Sequence, residues 1–240
     1  MRSPDSISSS PVSWGRVASP VLFLSALAWC FALVAARCAF AGTSAYAFLV
    51  WNLFLATVPL GFAFLLERSG KPGERPVRQS ILLAAWLLFF PNAPYILTDL
   101  IHLVGKASPL VPKWYDLAML LSFAFAGLII GFSSLDRVQR FLVPRIGLPW
   151  SWAFVGVVMF LCGFGIYLGR FLRWNSWDIM ARPMALFADI ADRVIHPFDH
   201  PRAVLVTGIF GVFLLLAYLG FQIGVGQTSR DGNAGKRGFG

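Results

Sequence analysis

Long apolar runs alternate along this chain with short stretches that collect its prolines, glycines and charges. A helix needs about 20 apolar residues to cross a hydrocarbon core of about 30 Å, and runs of that kind fall at residues 21–36, 46–66, 114–135, 150–171 and 204–225. A further run starts at Ser80 but is apolar only to Phe90, too short to span, and continues as PNAPYILTDLIHL over residues 91–103. Pro91 and Pro94 each lack an amide donor and disfavour helical geometry at the preceding residue, so the pattern predicts a discontinuous helix over residues 80–104. Asn92 is expected to offer its side-chain oxygen to the restarted turn, with Pro94 at an early helical position. A half-helix starting inside the membrane would aim its unsatisfied amides and positive dipole end at whatever lies there. A re-entrant hairpin is the alternative for this stretch.

The pattern therefore predicts an all-α, polytopic transmembrane bundle of about six spans with a Pro-broken third helix. Before the last span, PMALFADIADRVIHP puts Phe187, Ile190 and Val194 on one helical face and Asp189, Asp192 and Arg193 on others, as in an amphipathic helix lying in the interface. Residues 20–226 form one transmembrane domain. The Ser/Pro-rich residues 1–19 and the Gly-rich basic residues 227–240 have compositions that leave a segment disordered. Ala39-Phe40-Ala41 imitates a signal-peptidase site, but the apolar run before it is long for a signal and Arg37 interrupts it, so an uncleaved first span is expected.

Composition agrees: 58% hydrophobic, 13% charged and mean hydropathy +0.70 exclude a water-solvated domain. The net charge of +9 does not indicate nucleic acid, because the basic residues lie mostly between the apolar runs. The loop at residues 67–78, with Arg68, Lys71, Arg75 and Arg78, is the strongest cytoplasmic signal and predicts cytoplasmic termini for a six-span protein in a bacterial plasma membrane. Cys30, Cys38 and Cys162 sit in apolar surroundings and read as small buried hydrophobes.

Two motifs carry the candidate chemistry. Tyr95, Asp99 and His102 project from one side of the second half-helix, and Tyr167, Arg170 and Arg173 follow one another on the fifth span, with Asn175, Ser176 and Asp178 directly after. Two crossings separate the loops that follow these motifs, so both loops emerge on one membrane face. Ionisable groups at membrane depth are costly and mark function. Asp99 and His102 are the catalytic candidates, as orienter and base, and Tyr95, Arg170, Arg173, Asn175 and Asp178 the substrate-binding ones, the arginines clamping an anionic or lipid-linked substrate. No metal is assigned. Asp99 and His102 could supply two ligands, with Asp116 or Asp178 a third, but that spacing is weak evidence. The bland alternative is that Arg170 and Arg173 pair with Asp99, Asp116 or Asp178 and tie helix ends together. Gly165 and Gly169 read as a close-packing face.

The strings PNAPYILTDLIHL, WYDL (residues 114–117) and GIYLGRFLRWNSWD (residues 165–178) resemble a family of bacterial integral membrane proteins, the domain of unknown function numbered thirteen sixty-one. The resemblance implies a multi-spanning bacterial membrane protein and brings no activity, cofactor or site residue with it. Three roles are consistent with the residues: a membrane enzyme with a polar site on one face, an assembly factor of the cell envelope, and a transporter using the PNAP break.

Overall fold

The computed structural model describes residues 20–105 and 110–237. Its helices are α1 (Pro20–Ala41), α2 (Phe48–Glu67), α3 (Pro76–Phe89), α4 (Asn92–Tyr95), α5 (His102–Gly105), α6 (Lys113–Ile146), α7 (Leu148–Phe171), α8 (Asp178–Ala181), α9 (Pro183–Ile195) and α10 (Pro201–Arg237), with a 3-10 helix at Ile96–Ile101 between α4 and α5. Among the described residues there is no strand. Among the described residues, five helical stretches are long and apolar enough to cross a membrane: Phe23–Ala41, Phe48–Glu67, Pro76–Val104, Lys113–Phe171 and Pro201–Gly224. The fourth is α6 and α7 together. It doubles back at Gly147, whose φ of 79° suits the left-handed turn, so that Gly131 of α6 and Gly165 of α7 both lie against the PNAP segment. Six antiparallel passes result. Helix α10 continues to Arg237, so the backbone of residues 227–237 is helical where composition alone suggests disorder; each residue added to an existing helix needs only one further hydrogen bond.

The third pass crosses rather than returns. It keeps register with α2 along that helix's length: Phe62 meets Phe89 at one end, Asn52 bonds Asp99 further on, and the Tyr46 hydroxyl donates to the His102 carbonyl at the other. This geometry discards the hairpin alternative. The PNAP break is also milder than its prolines suggest. Phe90, Pro91, Tyr95 and Ile96 all keep right-handed helical dihedrals, and the amides of Ala93 and Tyr95 are closed on the carbonyls of Phe90 and Pro91. The helix tightens into a 3-10 turn instead of opening, so it presents no row of bare amides there. Asn92 does not accept as a cap. Its amide donates to the Phe89 carbonyl and to Ser176 Oγ, 2.9 and 3.0 Å away.

Close packing fixes this segment. A Cβ on Gly127 would lie 2.7 Å from the Ala93 carbonyl oxygen and one on Gly131 2.9 Å from the Ala93 Cβ, while Gly165 and Gly169 admit Pro91 and Tyr95. In a bilayer, where neighbouring helices gain little from excluding lipid, such small-residue contacts hold helices together. Ala93 is thereby sealed against α6. Gly127→Ala is expected to destabilise the protein by about 1–3 kcal/mol through overpacking, whereas Gly156→Ala, with nothing within 4 Å of the added carbon, should be neutral or slightly stabilising. Unfolding in detergent micelles checks both.

Arg37, which a loop count assigns to the membrane face, is buried beside Asp116: Nε and Oδ1 are 2.6 Å apart and both side chains are 1% exposed. This pair ties α1 to α6, so Asp116 is not a partner of Arg170 or Arg173. At the opposite end, the Trp86 indole donates to Ser134 Oγ at 2.6 Å, the Tyr218 hydroxyl to Gln139 Oε1 at 2.7 Å, and the Gln222 amide to Asp136 Oδ1 at 3.0 Å. Sequence reasoning missed that network. Helix α9 buries Leu186, while Phe187 and Val194 of the face expected to be apolar are exposed along with Met184 and Ile195.

Candidate functional site

The site forms where the 3-10 helix meets the last turn of α7. With about three residues per turn, Asp99 and His102 stack on one edge. Arg170 reaches across to them. Its Nη2 lies 2.6 Å from Asp99 Oδ1, Nη2 and Nε bond Thr98 Oγ1 at 2.6 and 3.0 Å, and Nη1 is 3.3 Å from His102 Nε2. The guanidinium also sits 4.7 Å from the centre of the Tyr95 ring. Asn52 of α2 donates to the other oxygen of Asp99 at 2.7 Å. Asp99, 1% exposed, is thus held between Arg170 and Asn52, with His102 Nε2 3.9 Å from its Oδ1. An arginine can only donate, so His102 Nε2 accepts, and a neutral ring then carries its proton on Nδ1.

Arg173 ends α7 in an unusual way. The amides of Leu172 and Trp174 both donate to the Leu168 carbonyl, closing a Schellman-type cap with Arg173 at φ 60°, a position that glycine normally occupies. Arg173 is the non-glycine residue with positive φ among the described residues, is exposed, and has no hydrogen-bond or ion-pair partner there. Beyond it, the backbone amide and side chain of Asn175 donate to Asp178 Oδ2, and Arg182 to Oδ1. These donors, the Asn175 amide foremost, hold the Asp178 carboxyl below the usual carboxylate range. Asp178 organises the turn and does not line the cavity described next. The turn is latched over the PNAP segment, because Ser176 accepts from Asn92 and donates to the Leu88 carbonyl, while the Trp174 indole donates to Asp189 of α9 at 2.7 Å.

These groups surround a cavity of about 750 Å³, within the range of small-molecule sites. Tyr95, Asp99, His102, Arg170, Arg173 and Asn175 all line it. So do Asn52 and Asn92, which sequence reasoning did not place in the site; a lone asparagine in the apolar run of α2 was the available signal. Tyr167 is buried away from the cavity and stacks on Phe164 and Phe171. Among the described residues, no three His, Cys, Asp or Glu side chains converge as metal ligands. The bland reading holds in part: Arg170 pairs with Asp99 and Asp178 with Arg182, but Arg173 pairs with neither.

A family model described as a protein of unknown function, DUF1361, matches residues 51–217. The chain belongs to the DUF1361 family. Apart from Phe48, every residue lining the cavity of this DUF1361 protein lies in the matched region, whereas Arg37 lies before it. No curated protein and no solved structure matches the chain.

Proposed function

We propose that this DUF1361 protein is a membrane enzyme whose cavity binds an anionic substrate through Arg170 and Arg173, with His102 as the proton-transfer group. The observation that carries the reading is Arg173, an exposed guanidinium that lines the cavity with no partner among the described residues and is held in a strained backbone position. A left-handed conformation disfavours any residue with a Cβ, and an arginine side chain there has a use if an anion visits. Asp99, Thr98 and Asn52 hold Arg170 in one orientation before the substrate arrives. An anion at Arg170 competes with His102 for the Nη1 proton. Once the anion accepts that hydrogen bond, with the proton staying on Arg170, the Nε2 lone pair of His102 is released as a base beside the substrate. Transport has weaker support, because Ala93 packs against α6 and the amides of Ala93 and Tyr95 at the break are bonded to the carbonyls of Phe90 and Pro91. The basic loop at residues 68–75 and Arg137, Arg140 and Arg145 share the end opposite the site, so the positive-inside rule puts the site on the outer face.

The test is anion-dependent stabilisation of the full chain in detergent. Inorganic phosphate should raise the unfolding temperature of the wild type and not that of Arg173→Gly. The same substitution should raise stability without phosphate by about 1 kcal/mol, since glycine adopts positive φ freely. Equal protection of both proteins by phosphate would sink the anion site.

A further inference from the structure

The cavity is built for more than a small ion. Its polar groups gather at one end, on the 3-10 helix and the last turn of α7, and below them the lining is mainly hydrocarbon, with Leu87 and Leu88 of α3 and Val158 and Leu161 of α7. Along α7 the lining runs from Val158 to Arg170, which at about 1.5 Å per residue is about 18 Å of depth. Half of a hydrocarbon core is about 15 Å. The trough therefore descends from the arginines to the middle of the bilayer.

Its rims face lipid. Trp51 of α2 and Leu161 of α7 both line the cavity and are 53% and 46% exposed, on helices whose outer surfaces are apolar. Helix α9 lies over the polar end. Leu186, Phe187 and Ile190 of that helix line the cavity while Met184, Val194 and Ile195 are exposed, as expected of a helix lying at the interface and not of one fully in water. A hydrated ion gains nothing from a trough of this depth. An alkyl chain exchanging lipid for these walls stays in apolar surroundings throughout, so its head can reach the arginines without the chain entering water.

The head follows from the donors. Asp99 and Thr98 already occupy Nε and Nη2 of Arg170, which leaves its Nη1 and the whole fork of Arg173; donors on two separate guanidinium groups suit the spread acceptor oxygens of a phosphate better than a single carboxylate, which one fork fills. Resting on the anion-site reading above, we infer that the ligand is a membrane amphiphile with a phosphate head held by Arg170 and Arg173 beneath α9 and a hydrocarbon chain lying between α3 and α7, admitted sideways from the leaflet.

The closing experiment compares phosphatidic acid, phosphatidylcholine and glycerol phosphate, the last carrying the head without the chain, by native mass spectrometry and thermal shift of the full chain in detergent. Phosphatidic acid should bind at least tenfold more tightly than either of the others, and Arg173→Ala should erase its advantage over phosphatidylcholine. Leu161→Trp, at a lipid-exposed wall position where a larger side chain is tolerated, should weaken phosphatidic acid several-fold and leave protection by inorganic phosphate intact; Leu87→Phe is the second variant. Glycerol phosphate binding as tightly as phosphatidic acid, or both wall variants leaving the lipid unaffected while phosphate still protects, would overturn the lipid assignment and leave the anion site standing. Failure of phosphate and phosphatidic acid alike would remove both.

Discussion

Arg37→Ala is expected to destabilise the protein by about 3–5 kcal/mol, the cost of leaving a buried carboxylate without its partner. Asp116 lies in the first turn of α6, 1% exposed, with the Arg37 guanidinium 2.6 Å away as its ion-pair partner. The same guanidinium sits 5.2 Å from the centre of the Tyr46 ring, so its loss also loosens the corner between α1 and α2. An apolar pair tests whether charge itself is required. Arg37→Met combined with Asp116→Leu should recover most of the loss, because two well-packed apolar side chains escape the desolvation that an ion pair suffers. Denaturant unfolding in micelles measures both, and a single substitution no worse than the double would show that the pair contributes nothing beyond packing.

Arg170→Ala should produce the second large effect, a loss of about 3 kcal/mol, for the same reason at a less enclosed site: Asp99 would keep the Asn52 amide and a longer, 3.9 Å approach to His102 Nε2. Arg170→Lys should rescue little. An ammonium lacks the fork that engages Asp99, Thr98 and His102 together. The informative variant combines Arg170→Met with Asp99→Leu. If the pair only ties α7 to the third pass, this double substitution restores stability and costs the protein nothing else. If Arg170 holds the substrate, stability returns while stabilisation by phosphate is gone. Retained phosphate protection would favour the assembly-factor reading over the enzyme.

Both predictions rest on carboxylates in the spans, and the chain alone treated them differently. Asp99 was legible. It recurs with Tyr95 and His102 at helical spacing, and a charge following an apolar half-span is conspicuous against lipid. Asp116 was visible as a costly group, but its partner was not, because Arg37 lies 79 residues away at the end of a run that also resembles a signal sequence. Arg173 illustrates a third case. Its type and place near the membrane surface marked it as a candidate, yet its left-handed backbone and lack of a partner follow from how α7 terminates over the third pass.

The PNAP segment is the place where local rules misled. Two prolines three residues apart argue for an open break, and a bare half-helix terminus would follow from it. The contacts with Gly127 and Gly131 of α6 and with Gly165 and Gly169 of α7 hold the segment in a continuous right-handed path instead. Close packing against four glycines outweighed the intrinsic preference for a break.

What the sequence determined by itself is the solvent. Apolar runs of bilayer length, broken by basic turns, fix a helical membrane bundle, since lipid leaves backbone polar groups no partner outside the helix. The same pattern put the motifs around Asp99 and Arg170 on one face, because the number of crossings between them is a property of the chain. Only the tertiary structure decided that Arg170 engages Asp99, that Asp116 engages Arg37, that Asp178 serves a turn, and that a trough opens between α3 and α7. Those are side-chain distances between residues far apart in sequence, and helix periodicity sets the direction in which a side chain points without setting which neighbour it meets.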